Sequence, residues 1–101
     1  SSAIYYLLGH SAELLLKAFL YKHGRTIKAL KTDGHDLQKL AFLARGADLP
    51  ETVKLEQTLR LSATYRDKDL EYRTRKGKRF PALSLLTEEI GKLQSAVFDK
   101  L

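Results

Sequence analysis

Gly9-His10-Ser11-Ala12-Glu13-Leu14-Leu15-Leu16-Lys17-Ala18 and, after a break, Gly34-His35-Asp36-Leu37 carry most of what this 101-residue chain says about itself. At about 100° per residue the first stretch, extended to both sides, is a helix that is apolar nearly all round. Tyr6, His10, Glu13, Lys17 and Tyr21 fall on one narrow side of it. A helix apolar almost everywhere belongs at the centre of a domain, and a single polar stripe is a side kept for polar contacts.

Working outward, this first helix is predicted from about Ser2 to His23, stopped by Gly24, a residue suited to the left-handed C-terminal cap. Its apolar face is read as Ile4, Leu7, Leu8, Ala12, Leu15, Ala18 and Phe19. Arg25 to Gly34 reads as a polar, partly mobile connector. A second helix opens at His35-Asp36, whose carboxylate suits a helix N-terminus, buries Leu37, Leu40, Ala41 and Ala44, and ends at Gly46. Pro50 is placed to open a third helix, preceded by Asp48 and followed by Glu51, with Val53, Leu55, Leu59 and Ala63 inward. The stretch from Tyr65 to Phe80 is dense in charge, is broken by Gly77 and is closed by Pro81. A last helix, Ala82 to Leu101, sets Leu83, Leu86, Ile90, Leu93 and Val97 at steps of three and four. The fold class expected is all-α: an antiparallel bundle of about four helices, with a basic loop or small hairpin around Lys76-Gly77 before the last one.

The bulk composition narrows the possibilities. The length suits one domain, and the start inside an apolar stretch without an initiator methionine leads us to expect a fragment of a longer chain. With no cysteine there is neither a disulfide framework nor a thiolate zinc site, which fits a cytoplasmic protein. No apolar run reaches the roughly 20 residues of a bilayer span, so no membrane partner is expected. Eighteen Lys and Arg against twelve Asp and Glu give a net charge of +6, which favours polyanionic partners.

In order, His10, Glu13, Lys17-Ala18, Gly24, His35-Asp36-Leu37 and Leu40 resemble the HEPN family of helical bundles, over roughly residues 4–45. The resemblance implies a bundle that forms a homodimer, with the polar groups of two subunits facing one cleft, or that pairs with a partner such as a nucleotidyltransferase. The family includes metal-independent ribonucleases of toxin–antitoxin and antiviral systems, and non-catalytic modules. Its catalytic members carry an arginine followed, after four to six residues, by a histidine. Cleavage without a metal needs a base for the 2′-hydroxyl and a cation for the phosphate. No arginine here stands at that distance before a histidine. After Arg66 the permitted positions hold Glu71, Tyr72 and Arg73.

Three constellations carry the chemistry. Tyr6, His10, Glu13 and Lys17 form either a polar cleft that meets a ligand or dimer seam, or the solvated side of the helix with a Glu13–Lys17 pair at i, i+4. His35-Asp36 reads first as helix initiation, since adjacent helical residues point about 100° apart and pair poorly. Between Tyr72 and Phe80 stand Arg73, Arg75, Lys76, Lys78 and Arg79 without an acid. They read either as phosphate contacts with Tyr72 stacking on a base or as a solvated loop. Five such contacts correspond to a salt slope of roughly −4 to −5 on duplex nucleic acid. His10, His23 and His35 lack metal-ligand spacing, so neither metal nor cofactor is expected.

The function expected is a non-catalytic or catalytically degenerate HEPN-like module that binds RNA or nucleotide through Arg66, Tyr72, Arg73, Arg75, Lys76, Lys78 and Arg79. One alternative is a divergent metal-independent ribonuclease, with Arg66 on the phosphate and His10 or His35 as the base. The other is a protein-interaction or dimerisation module using the apolar stripe of the last helix.

Overall fold

The computed structural model describes residues 2–66 and 80–99, and the side chains of 3–63 and 80–99 among them. Within these, the chain forms five α-helices and no strand: α1 (Ser2–Lys22), α2 (Ile27–Asp33), α3 (Leu37–Gly46), α4 (Glu56–Arg66) and α5 (Leu83–Asp99). α1 is central, packing most extensively on α5 and α3 and also on α4 and α2. Its core face is Ala12, Leu16, Phe19 and Leu20. Against it stand Leu37, Leu40, Ala41 and Ala44 of α3, Leu61 of α4, and Leu86, Ile90, Leu93 and Val97 of α5.

α1 ends where its sequence says it should. Arg25 N–H donates to the Leu20 carbonyl (2.9 Å) and Gly24 N–H to that of Tyr21 (3.1 Å), with Gly24 at φ +103°. This is the Schellman closure, which places its C′ residue in the left-handed region that glycine enters without a Cβ penalty.

The connector from Arg25 to Gly34 departs from the expectation of a mobile link. It holds α2, because the Thr26 hydroxyl accepts from Ala29 N–H (3.0 Å) and starts a helix that a polar composition hides. Arg25 grips the buried Asp33 through both carboxylate oxygens, at 2.6 and 2.7 Å. Lys39 of α3 reaches the same group at 3.3 Å.

The third expected helix begins later than Pro50. Arg45 donates to the carbonyls of Leu49 (3.4 Å), Pro50 (2.6 Å) and Val53 (2.6 Å). Only one turn forms after Pro50, with Val53 N–H donating to the Pro50 carbonyl (2.9 Å), which accepts from Arg45 as well. Val53 and Leu55 are buried, but ahead of α4. Within α4 the inward positions are Thr58, Leu61 and Ser62, whereas Ala63 is exposed.

The start of α4 is capped from another helix. Leu55 occupies the N-cap position, its carbonyl accepting from Leu59 N–H (2.9 Å), and its side chain has no acceptor to offer. The carboxylate of Glu89 in α5, itself buried, supplies one. It accepts from Gln57 N–H (3.0 Å), Thr58 N–H (2.7 Å) and the Thr58 hydroxyl (2.8 Å). A buried charge is tolerable here because three donors and the positive end of a helix surround it.

Besides Ala63, three expected core residues lie outside the core. Ile4 and Leu7 of α1 and Leu83 of α5 are exposed. On α1 the reason is geometric: the residues that meet α3 and α5 lie on the other side of the helix.

Candidate functional site

Helical spacing alone brings His10, Glu13 and Lys17 to one side of α1. Lys17 Nζ lies 3.1 Å from Glu13 Oε2, and His10 Nδ1 lies 4.0 Å from Glu13 Oε1. Tyr6 is exposed one turn before His10 on the same side, and Tyr21 is exposed near the C-terminal end of the helix.

The fourth member comes from the turn between α2 and α3. His35 Nδ1 lies 2.7 Å from Glu13 Oε2, across 22 residues of sequence. The backbone around His35 is fixed on both sides. Gly34 takes φ +69° after α2, and Asp36 caps α3 by accepting from Lys39 N–H at 3.1 Å. Asp36 thus acts as the expected helix initiator, while its neighbour turns back onto α1.

The two partners sit in very different surroundings. The Glu13 side chain is 9% exposed and that of His35 84%. Burial pushes the Glu13 carboxyl toward a higher pKa, but the hydrogen bonds from His35 and Lys17, together with their charges, outweigh it and hold the group below the usual glutamate value. An ionised carboxylate only accepts, so Nδ1 of His35 carries the hydrogen. Neutral His35 then presents a bare Nε2 lone pair outward. In its charged form it presents a second N–H. A buried carboxylate that fixes the tautomer of an exposed imidazole suits proton transfer or the gripping of an anionic oxygen.

His23 plays no part in this group. Its Nδ1 donates to the Phe19 carbonyl (2.9 Å) and its ring stacks on Phe19 at 4.1 Å between centroids, which makes it part of the α1 terminus. Among the described residues no group of three or more His, Asp or Glu is arranged to hold a metal ion. No helix among them is long and apolar enough to cross a membrane.

Arg66 is the last residue of α4. Its side chain lies outside the described residues, as do Tyr72, Arg73, Arg75, Lys76, Lys78 and Arg79 and the expected hairpin around Lys76-Gly77. The described chain resumes at Phe80. Phe80 stacks on Tyr5 of α1 at 4.5 Å, and the Tyr5 hydroxyl donates to the Pro81 carbonyl at 2.9 Å. The described chain therefore resumes beside the residue next to Tyr6, at the end of α1 where the polar stripe begins.

His35 reads in the sequence first as a helix initiator and, in the ribonuclease alternative, as a candidate base; its contact with Glu13 is what the sequence does not announce. The available signal was its place just ahead of a capped helix, which limits how far the side chain can wander from the neighbouring helix. No family model, curated protein or solved structure matches this chain.

Proposed function

We propose that the chain is a HEPN-like module that binds RNA or a nucleotide without cleaving it, of the kind found in toxin–antitoxin and defence systems. The observation that carries this reading is the convergence of His35, Lys17 and His10 on one buried carboxylate at an accessible surface. Nitrogen donors held in place by Glu13 suit a phosphate oxygen, because their orientation is set before the ligand arrives. The attachment of Phe80 to Tyr5 supports the same reading. It ties the end of the sequence that runs Arg73, Arg75, Lys76, Lys78, Arg79 to the helix that carries the cluster. In this reading Arg66 and those five residues hold the backbone phosphates, and Tyr72 stacks on a base.

The test is titration of a fluorescently labelled single-stranded RNA at several salt concentrations. Arg73→Glu combined with Arg75→Glu is expected to weaken binding by about 10- to 100-fold and to flatten the dependence on salt. Unchanged affinity and slope would remove these residues from the interface.

A second reading rests on the 2.7 Å contact between Glu13 and His35. A carboxylate-oriented imidazole with an outward Nε2 is a competent general base, and with Arg66 near the phosphate it would make the chain a divergent metal-independent ribonuclease. The missing arginine–histidine spacing ranks it second.

A further inference from the structure

The contact between His35 and Glu13 fixes more than the position of a ring. An ionised carboxylate has no hydrogen to give, so the 2.7 Å contact at Nδ1 uses the single N–H of a neutral imidazole. The other nitrogen, Nε2, is left with a lone pair, and with the side chain 84% exposed that lone pair faces the solvent. A phosphate diester oxygen is also an acceptor alone. Brought up to neutral His35, it meets acceptor against acceptor. Moving the hydrogen to Nε2 would only transfer the conflict inward, setting a bare Nδ1 against the buried Glu13 carboxylate. One added proton removes it, because both nitrogens then donate.

We infer that this site takes an RNA phosphate only together with a proton, so that His35 grips the phosphate oxygen as an imidazolium through Nε2 while Glu13 holds Nδ1. The inference rests on the proposed reading that the cluster meets RNA phosphate.

The charges around the ring favour the same conclusion. From α1 the facing groups are Glu13, Lys17 and His10. The Glu13 carboxylate and the Lys17 ammonium, 3.1 Å apart, balance each other, so neutral His35 leaves an anion little net charge to approach. Protonation supplies one positive charge at the exposed end of the group. The carboxylates on either side of His35 in the chain have other partners. Asp33 of α2 holds Arg25 and Lys39, and Asp36 accepts from the Lys39 N–H that opens α3. His10 differs from His35: its Nδ1 stands 4.0 Å from Glu13 Oε1, too far for a hydrogen bond that would fix its tautomer. Neutral His10 can therefore turn an N–H toward a phosphate without taking up a proton.

The direction of the linkage follows. A ligand that selects the protonated ring draws a proton from solvent, and its binding weakens as the pH rises through the imidazole range, about 5 to 8. Glu13 stays ionised across that range. Burial pushes its carboxyl upward, but the hydrogen bonds and charges of His35 and Lys17 outweigh this and keep it below the usual glutamate value. Arginine and lysine contacts keep one charge state there and set a floor of binding that does not vary with pH. The proton that lets His35 grip a phosphate also removes the lone pair a general base needs. Binding and cleavage thus call for opposite states of one ring.

Isothermal calorimetry of the chain with an unlabelled oligouridylate ending in hydroxyls tests the inference, since neither its diesters nor uracil change charge in this range. Wild type is expected to bind about 10-fold or more tightly at about pH 5.5 than at about pH 8, the size of one charge-assisted hydrogen bond. Near neutral pH, heats measured in buffers of different ionisation enthalpy are expected to show net proton uptake on binding. His35→Gln, at an exposed position, leaves His10 and His23 to titrate and is expected to lose most of both effects. His10→Gln is expected to keep the greater part of both. Wild-type affinity that does not vary with pH, or binding without proton uptake, overturns the inference and leaves the RNA-binding reading standing. A pH dependence that persists in His35→Gln belongs to the general charge of the chain and overturns it equally. No binding at any pH removes the RNA-binding reading itself, and the inference with it.

Discussion

A carboxylate as buried as that of Glu13 keeps its charge only because donors from α1 and from the turn before α3 compensate for the water it has lost. The same logic governs Asp33, where Arg25 and Lys39 converge. The hydrogen bond from Arg25 comes first among the causes that hold the Asp33 carboxyl down at about 2, against an ordinary 3.8. Because the folded value lies below the unfolded one, the group's contribution to stability is complete above about pH 4 and is lost as the pH falls toward 2. Urea denaturation should therefore show stability falling across that interval, and Asp33→Asn should remove part of the fall. A slope unchanged by the substitution would mean that the Arg25 contact contributes nothing to the native state. At this scale the sequence spoke unevenly. The neighbourhood of His10, Glu13 and Lys17 follows from a period of 3.6 residues and was legible. The return of His35 to Glu13 depends on how α2 and Asp36 aim the chain, a tertiary fact that no local spacing encodes.

The helices whose signals are local were the readable ones. α1 closes at Gly24, α3 opens at Asp36, and the inward residues Leu86, Ile90, Leu93 and Val97 of α5 repeat at helical steps. α2 was missed because seven residues carry too little pattern to stand out from a polar connector. The start of α4 is not legible because its cap is Glu89, one helix further along the chain, a partner that no local pattern marks. The end of α3 is instructive. Gly46 marks it in the sequence, yet the left-handed residue is Asp48, at φ 74°, in a second Schellman closure with Leu49 N–H on the Ala44 carbonyl (2.9 Å). A side chain in that region costs about 1 kcal/mol relative to glycine. Asp48→Gly should accordingly raise the unfolding free energy by about 1 kcal/mol, measured by chemical denaturation. A loss of stability would show that the Asp48 side chain makes a contact worth more than the strain.

Across the whole molecule, an all-helical bundle buries α1 on one face and leaves it two others: a flank where Lys17 and His35 meet over Glu13, and an outward apolar stripe. Composition anticipated the all-α fold class, but charge alone does not say where a ligand would sit. In the proposed reading, the polar cluster over Glu13 is where the RNA would be held. The direct measurement is the incubation of end-labelled, structured RNA with the chain at low salt and in excess chelator, followed on native and denaturing gels. We expect wild type to retain the RNA and leave it intact, and His35→Ala to retain it several-fold less well. RNA that is never retained would contradict the binding function. RNA cut by wild type and spared by His35→Ala would make the chain a ribonuclease with His35 at its centre.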